Sequence, residues 1–395
     1  MTERESLFAG LTRNTAFLAL ASFFADISTE MLYPVLPVFI TQTLRASGGV
    51  LGLMEGGAVA TQNIVQGFAG SLSDRLSRHK TVALVGFGLA ALSKPLIGLA
   101  PAWPAAVGGR LLDRFGTGIR SAPRDALVAG SADDAHRGKA FGLEGAGDNA
   151  GAFLGPVIAV GLLTLLGFGL RDLFYLAVIP GFLAFLMVLL VKERRAAGAA
   201  KASLGAGLGR FPPRYVAYLA AIGVFGLGNS STAFLILQTK DLGVSLPTTI
   251  LIYAAVNLVA ALASYPAGAV SDRIGRRSLL LMAMAVFLVT YLAFAAFRSI
   301  AIVGPAFVFY GVFQGVFRAV GKSLANDFSP ADLKASGLGW YGTAVGLTGL
   351  VGSVVAGQLW DRVGHAAVFY YGAAFAVLGA AATLALVREP TRRLA

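Results

Sequence analysis

Hydrophobic residues fall into twelve long runs along the chain, separated by short stretches that contain charges, glycine or proline. The runs cover residues 14–41, 48–72, 81–100, 103–130, 139–166, 171–192, 213–241, 246–271, 278–297, 301–328, 334–360 and 366–388. A helix needs about 20 residues to cross the hydrocarbon core of a bilayer, so each run predicts a membrane-spanning helix. Several runs contain charged residues that cannot face lipid, and these predict a bundle with a polar interior.

The composition argues against the soluble classes of protein. Hydrophobic residues make up 56% of the 395 residues and charged residues only 13%, whereas a soluble domain has about 25% charged residues. A soluble enzyme, a nucleic-acid-binding protein and a disordered chain are therefore not expected. The chain has no cysteine and three histidines, so neither disulfides nor a zinc site is expected. It also lacks the phosphate-binding P-loop pattern, which argues against direct use of ATP.

The basic residues predict the orientation of the chain. The formal net charge is +12. With the N-terminus placed in the cytoplasm, twenty Lys and Arg residues lie on that side, and the opposite side has only Arg45, Arg171, Lys240, Arg298 and Arg362. Basic residues concentrate on the cytoplasmic side of membrane proteins. We therefore expect a multi-pass protein of the cytoplasmic (inner) membrane with both termini in the cytoplasm.

The second half of the chain repeats the first. The segment GSLSDRLSRHK at 70–80 returns as GAVSDRIGRRS at 268–278, an offset of 198 residues. At the same offset, Arg120 and Arg124 fall on Arg318 and Lys322. The repeat predicts an N-terminal six-helix half at 1–192, a cytoplasmic linker at 193–212 and a C-terminal six-helix half at 213–395.

Three groups of residues recur at characteristic places in the predicted spans. They are the loop segment Gly70, Asp74, Arg75 and Arg78 with its second copy Gly268, Asp272, Arg273 and Arg276, the fourth-span residues Arg110 and Gly116, and the fifth-span residues Gly142, Gly151, Gly155 and Pro156. With these motifs, of which the last is antiporter-like, the chain resembles the major facilitator superfamily of transporters over its whole length. The resemblance implies an all-α membrane protein with twelve transmembrane helices in two pseudo-symmetric six-helix halves, the major facilitator fold.

The motifs have both a functional and a simpler interpretation. An aspartate followed by several basic residues, as at Asp74 and Asp272, can bond helix ends and hold two halves in one state. Alternatively, the basic residues of these loops only fix the topology. In the fifth span, Gly142, Gly151 and Gly155 allow close helix approach, and Pro156 permits a bend. The structural and the functional interpretation agree here, because a pliable fifth span would also serve a rocking movement of the two halves.

Charged residues inside the predicted spans need partners, since each costs about 2.5–3.5 kcal/mol near the bilayer centre when unpaired. From their depth we expect pairs between Glu55 and Lys94, between Arg124 and Glu144, and between Arg120 and Asp148. These pairs form either a static clamp or a switchable network. The second half keeps the basic residues as Arg318 and Lys322, but Tyr341 and Val345 replace the two acids. Those cations must face acids from elsewhere, water or an anionic solute.

The resemblance also implies which spans line a central cavity, namely the first, fourth, seventh and tenth. The candidates for that cavity are Arg114, Arg120, Arg124, Asn229, Ser230, Arg318, Lys322 and Tyr341. By their depth in the membrane, Asp26 is expected near Arg318 and Glu30 near Arg114. The acids that could carry a proton are Asp26, Glu30, Glu144 and Asp148.

The function expected from the sequence is secondary active transport, and not enzymatic catalysis. We expect export of a small organic solute in exchange for protons by alternating access. Proton-coupled import of an anionic metabolite is the alternative, and a non-transporting membrane sensor or enzyme is a remote one. The expected partners are the lipid bilayer, the solute and protons, without nucleic acid, and the protein is expected to be a monomer. The proton gradient is the expected energy source, with no cofactor and no metal.

Overall fold

The computed structural model describes residues 12–76, 78–132, 137–193, 207–330 and 333–387. Within these ranges the regular structure is helical and contains no strand. The α-helices are α1 Arg13–Glu30, α2 Leu36–Val38, α3 Gly48–Leu76, α4 His79–Leu99, α5 Trp103–Gly130, α6 Arg137–Thr164, α7 Leu170–Leu176, α8 Val178–Leu190, α9 Pro213–Gly228, α10 Ala233–Asp241, α11 Leu246–Ile274, α12 Arg276–Ala296, α13 Ile300–Phe328, α14 Lys334–Arg362 and α15 His365–Leu386. Nine spans in the described ranges are long and apolar enough to cross a membrane.

Three of the predicted spans are interrupted helices, and two of the breaks have a proline as their cause. Pro34 has no N–H to donate to the carbonyl of Glu30, and α1 ends at Glu30. In the same way Pro180 cannot donate to Leu176, where α7 ends before α8. The third break separates α9 from α10 at residues 229–232, directly after a glycine-rich helix end. The break after α1 leaves Glu30 at a helix terminus inside the bundle.

The helices pack in two groups that follow the sequence repeat, which we call the first half (12–193) and the second half (207–387). In the first half α5 packs against both α3 and α4, and α1 packs against α6 and α8. In the second half α13 packs against α11 and α12, and α15 packs against α9 and α12. Across the two halves α14 packs along α3, and α11 packs against α6.

The two ends of the bundle differ in charge. Arg78, Lys192, Arg210 and Arg276 lie at the end where α1 begins, which we call the basic end. The opposite end, which we call the far end, holds the starts of α3 and α5. Contacts between the halves run from the far end to the middle of the bundle. The structure is therefore closed between the halves at its far end.

A carboxylate closes the far end. The backbone N–H groups of Gly48 and Gly49, at the start of α3, donate to the Asp361 side chain of α14 over 2.8 and 2.7 Å. A carboxylate is favoured there because the first N–H groups of a helix have no partner in the helix and carry a partial positive charge. Gly52 lies so close to Ser353 that a Cβ would come within 2.1 Å of its carbonyl oxygen.

Small residues also bring α6 against α1. A Cβ on Gly151 would lie 2.4 Å from the carbonyl oxygen of Phe23, and one on Gly155 would lie 2.8 Å from the backbone N of Met31. Gly147, which the motif does not include, makes a third close approach at Ala19. The prediction of close approach is wrong for Gly142 within the described part of the chain, where no atom lies within 4 Å of a Cβ built there. Gly142 lies on an exposed face of α6, off the i, i+4 series formed by Gly147, Gly151 and Gly155.

Candidate functional site

Five charged side chains form one buried cluster where α3, α4 and α5 meet. Arg110 of α5 binds Glu55 of α3 with two parallel hydrogen bonds of 2.9 and 3.1 Å. Asp113, one turn further along α5, lies 2.7 Å from Lys94 of α4 and 3.2 Å from both Arg110 and Arg114. Three cations thus surround two carboxylates. Such a cluster is stable in an apolar interior only when each member is paired, as these are.

The expected pair between Glu55 and Lys94 is wrong, although both residues are paired. α5 packs between α3 and α4, which contact each other little. Arg110 therefore reaches Glu55, and Asp113 reaches Lys94. The depth of each residue was correctly read from the sequence, but depth alone does not show which helix lies between two others.

A second cluster surrounds Arg124 near the basic end. Its guanidinium lies 2.9 Å from Glu144 and 3.8 Å from Asp148 of α6, and it also binds Asp125 at 2.9 Å. Ser22 of α1 donates to Glu144 over 2.6 Å. The predicted Arg124–Glu144 pair is confirmed. One arginine here faces three carboxylates.

The expected pair between Arg120 and Asp148 is wrong, because Arg124 takes the position beside Asp148. The Arg120 guanidinium lies over the ring of Phe87 at 4.6 Å. Its Nε and Nη1 have no hydrogen-bond partner among the described residues, although the residue is only 6% exposed. A cavity of about 10 Å³ lies beside it, lined in part by Lys94, Ser28 and Thr29. This is room for about one water molecule.

Glu30 connects the two halves. Its carboxylate accepts a 2.7 Å hydrogen bond from the Tyr253 hydroxyl of α11, and Asn257 of the same helix lies at 3.5 Å. Glu30 interacts electrostatically with Arg114, as its expected depth implied, and also with Arg110 and Arg318. None of these cations comes within 4 Å of it in the described structure. The carboxylate is therefore held by neutral donors of the other half.

Asp26 lies one turn below Glu30 on the same face of α1. Its carboxylate is repelled by those of Asp148 and Glu30 and attracted by the guanidinium of Arg120. Arg318, which was expected beside Asp26, is not among these neighbours. Ser22, Asp26 and Glu30 are spaced i, i+4 along this face of α1. Ser22 contacts Glu144 of α6 and Asp26 lies near Asp148 of α6, so the acids of the two helices form a series. The series begins at Glu144 near the basic end and reaches Glu30 at the contact with the second half.

Arg318 and Lys322 differ from the other basic residues of the spans. Both side chains are exposed although α13 is a 29-residue apolar helix. Neither has an ion pair within 4 Å among the described residues. Arg318 interacts electrostatically with Glu30, and Lys322 with Asp125 and Asp148. They therefore face the first half across the space between the halves.

Three other cavity candidates take positions inside the second half. Ser230 is 5% exposed and its hydroxyl lies 3.5 Å from that of Tyr291, in the aromatic core. Tyr341 is 6% exposed and stacks on Tyr218. Both side chains are buried in this state, and the Tyr341 hydroxyl lies where a Cβ on Gly321 would be. Asn229 ends α9 and is half-buried.

Sequence reasoning missed Tyr253 and its contact with Tyr33 between the halves. Tyr33 stacks on Tyr253 at 5.2 Å, and the Arg110 guanidinium lies 5.5 Å from the Tyr33 ring centre. Tyr33 lies directly before Pro34, which marks the end of α1, and this was the available signal. Nothing in the sequence pairs Tyr253 with Glu30, since the two lie 223 positions apart.

The loop motifs are only partly within the described structure. The side chains of Asp74, Arg75, Asp272 and Arg273, as well as Gly268, lie outside the described residues. Gly70 of α3 lies against Ala122, and Arg78 is exposed at the start of α4. Arg276 binds Asp327 at the end of α13. Of the span-four motif, Gly116 brings α5 against α4, where a Cβ would lie 2.7 Å from the backbone N of Ala90. Pro156 lies within α6.

The family model described as Major Facilitator Superfamily matches residues 18–236 and 216–395. The chain belongs to the major facilitator superfamily. It is 32% identical to MJ1317, an MFS-type transporter of Methanocaldococcus jannaschii, over 93% of each chain. It is 28% identical to the quinolone resistance protein NorA of Staphylococcus aureus over 42% of this chain and 41% of that one. The crystal structure of the nucleoside transporter NupG is similar in fold, with a TM-score of 0.77 at 14% identity over 95% and 99% of the two chains.

The family assignment shows that the buried charge clusters lie in a membrane transporter. The protein is a multi-pass membrane transporter with the major facilitator fold, and it is not an enzyme. Transporters of this architecture bind their solutes near the middle of the membrane, between the repeats. The acid series and the exposed cations of α13 lie on the two sides of that region.

Proposed function

We propose that this transporter exports a small organic solute in exchange for protons. The observation that supports this most directly is the position of Glu30, an intramembrane carboxylate whose hydrogen-bond donors come from the other half. Intramembrane carboxylates are typical sites of proton relays in transporters. Here one of them also lies on a contact that must break when the halves move.

Protonation of Glu30 would change the energy of that contact. A hydrogen bond to a charged acceptor contributes about 1.5–3 kcal/mol, roughly twice a neutral one. A proton on the carboxylate removes the charge that attracts Tyr253 and the nearby guanidinium groups. The relative energy of the two access states then depends on the proton, which is the requirement for coupling.

The acid series supplies a route for that proton. Glu144, Asp148 and Asp26 lie between the basic end and Glu30, on the facing sides of α1 and α6. We place the basic end in the cytoplasm, because the excess of Lys and Arg is at that end. The structure then corresponds to a state closed towards the outside, with the acid series on the side of the cytoplasm.

Export is favoured over import by two resemblances. The span-five residues Gly151, Gly155 and Pro156 resemble the antiporter motif, and the NorA relative is named for quinolone resistance. Proton-coupled import is the alternative, and it predicts the opposite sign of flux under the same gradient.

Inverted membrane vesicles separate these possibilities. With norfloxacin as the quinolone probe, an acidic lumen should drive accumulation inside vesicles that contain the protein, and nigericin should abolish it. Vesicles without the protein are the control. Accumulation that is insensitive to nigericin would contradict proton coupling. Norfloxacin driven out of preloaded vesicles by the same gradient would indicate symport.

A further inference from the structure

We propose that the solute is an organic anion, and that its acidic group binds Arg318 and Lys322 of α13. This inference rests on the proposed transport function and specifies the chemical class of its substrate. It starts from the two intramembrane cations that the described structure leaves exposed and without an ion pair. Every other intramembrane cation is in an ion pair, except Arg120, which lies over Phe87.

The internal repeat shows that Lys322 is available because two acids are missing, whereas Arg318, like its equivalent Arg120, has no ion pair among the described residues. In the first half, the equivalent pair is Arg120 and Arg124, and α6 supplies Glu144 and Asp148 to the latter. In the second half the equivalent positions of α14 hold Tyr341 and Val345. Tyr341 stacks on Tyr218 in the packed interior, so it offers no negative charge. The same two-helix arrangement is therefore neutralised in one half and left cationic in the other.

The direction of the two cations places the ligand between the halves. Arg318 interacts with Glu30 and Lys322 with Asp148, both across the space between the halves, yet at more than ion-pair distance. Two cations at i, i+4 on one helix repel each other and gain from a shared anion. A carboxylate between them would be bound by charge-assisted hydrogen bonds, the strongest kind available to an organic solute.

The groups beside the cations suit the body of an organic molecule. Gln314 lies one turn before Arg318 and donates to Thr232, in the break between α9 and α10, over 3.2 Å. Across the contact between the halves, Tyr33 of the first half stacks on Tyr253 of the second, and the two rings provide an aromatic surface near Glu30. Such a site combines an anion-binding end with polar and aromatic groups for the remainder of the solute.

An anionic solute also fixes the electrical sign of the transport cycle. If one monovalent anion leaves for each proton that enters, two positive charges move inward in net terms. An inside-negative potential should then accelerate export, because each net positive charge that moves inward is driven by the membrane potential. Symport of the same anion with one proton moves no net charge and should not respond to the potential.

The test uses three naphthalene compounds that differ in one group. 1-Naphthylacetate is the anion, 2-(1-naphthyl)ethylamine the cation and 2-(1-naphthyl)ethanol the neutral probe. Binding to the purified protein is measured by calorimetric titration in detergent. We expect 1-naphthylacetate to bind with the highest affinity, and Arg318→Gln and Lys322→Gln each to weaken it about tenfold. Arg298→Gln, at a charged position outside the bundle interior, is the control and should not change it.

A second variant tests the repeat argument directly. Val345→Asp restores the acid that Asp148 provides in the first half, so it should occupy the cations and weaken binding of 1-naphthylacetate. Val345→Asn has nearly the same shape without the charge and should bind as the wild type does. Both variants should show the melting temperature of the wild type without ligand, which separates loss of binding from loss of folding.

The outcomes separate the anion site from the proposed function. No binding of 1-naphthylacetate, tighter binding of the amine, or equal effects of Val345→Asp and Val345→Asn would each overturn the anion site. Selective binding of the anion that depends on Arg318 and Lys322 would support it, even if vesicles then show no proton-driven flux. The absence of proton-driven flux in vesicles would contradict the proposed function and would leave the anion site untouched.

Discussion

The Tyr253 hydroxyl donates a 2.7 Å hydrogen bond to the carboxylate of Glu30, and the two residues belong to opposite halves of the transporter. Pro34 ends α1 at Glu30, and the stacking of Tyr253 on Tyr33 holds the ring of the donor in place. The contact therefore combines a proton-binding group with an interface that must change during alternating access.

Tyr253→Phe should shift the transporter away from the state closed at the far end. The change removes the donor but keeps the ring, and the lost hydrogen bond is worth about 1.5–3 kcal/mol. Spin labels at Arg78→Cys and Ser278→Cys report the separation of the halves at the basic end, in a chain free of other cysteines. We expect shorter distances to gain population. Tyr175→Phe, on the exposed surface of α7, is the matched control, and an identical distribution in both variants would contradict the prediction.

Glu55 and Arg110 should show strong energetic coupling. Either Glu55→Gln or Arg110→Gln leaves a charge without its bidentate partner in a buried site, at a cost of about 3–5 kcal/mol. The double variant should lose clearly less than the sum of the two single variants. Thermal unfolding in detergent measures all four proteins. Additive losses would show that the pair is not formed.

Gly151→Ala and Gly142→Ala should change stability in opposite directions. The new Cβ at Gly151 would meet the backbone of α1, and overpacking of this kind costs about 1–3 kcal/mol. The Cβ at Gly142 meets no atom of the described residues, so the higher helix propensity of alanine should add up to about 1 kcal/mol. Melting temperatures in detergent compare the two. A lower value for Gly142→Ala would contradict the packing of α6 that the structure shows.

Asp361→Asn should weaken closure of the far end. The carboxylate accepts hydrogen bonds from Gly48 and Gly49 of the other half, whereas an amide offers one acceptor oxygen and no charge. Labels at Ala102→Cys and Arg298→Cys should report longer distances between the halves at this end. Asp172→Asn removes a similar cap within the first half alone and is the control. If Asp172→Asn lengthened these distances equally, the effect would not be specific to the contact between the halves, and the prediction would be contradicted.

Impermeant maleimide should distinguish the two ends of the bundle in intact cells. We expect no labelling of Ala200→Cys, in the predicted cytoplasmic linker, and labelling of Ala102→Cys at the far end. Permeabilised cells should show labelling of both. The reverse pattern in intact cells would place the basic end outside.

The sequence was sufficient for the fold, but for only one of the three ion pairs predicted between helices that are neighbours along the chain. Hydrophobic runs predicted the helices to within a few residues, and a short loop made Arg124 and Glu144 level, so their pair could be inferred from depth. Depth failed for Glu55 and Lys94, because α5 lies between their helices. The contact of Glu30 with Tyr253 could not be inferred, since it depends on how two distant parts of the chain dock.

The central claim is that the Glu30 carboxylate couples the proton to movement between the halves. Its most direct test is Glu30→Gln in proteoliposomes, with radiolabelled norfloxacin followed both as accumulation under a pH gradient and as exchange without one. Glutamine keeps an acceptor for Tyr253 but cannot bind or release the proton. The account predicts that accumulation is lost while exchange continues. Accumulation with the pH dependence of the wild type would contradict it.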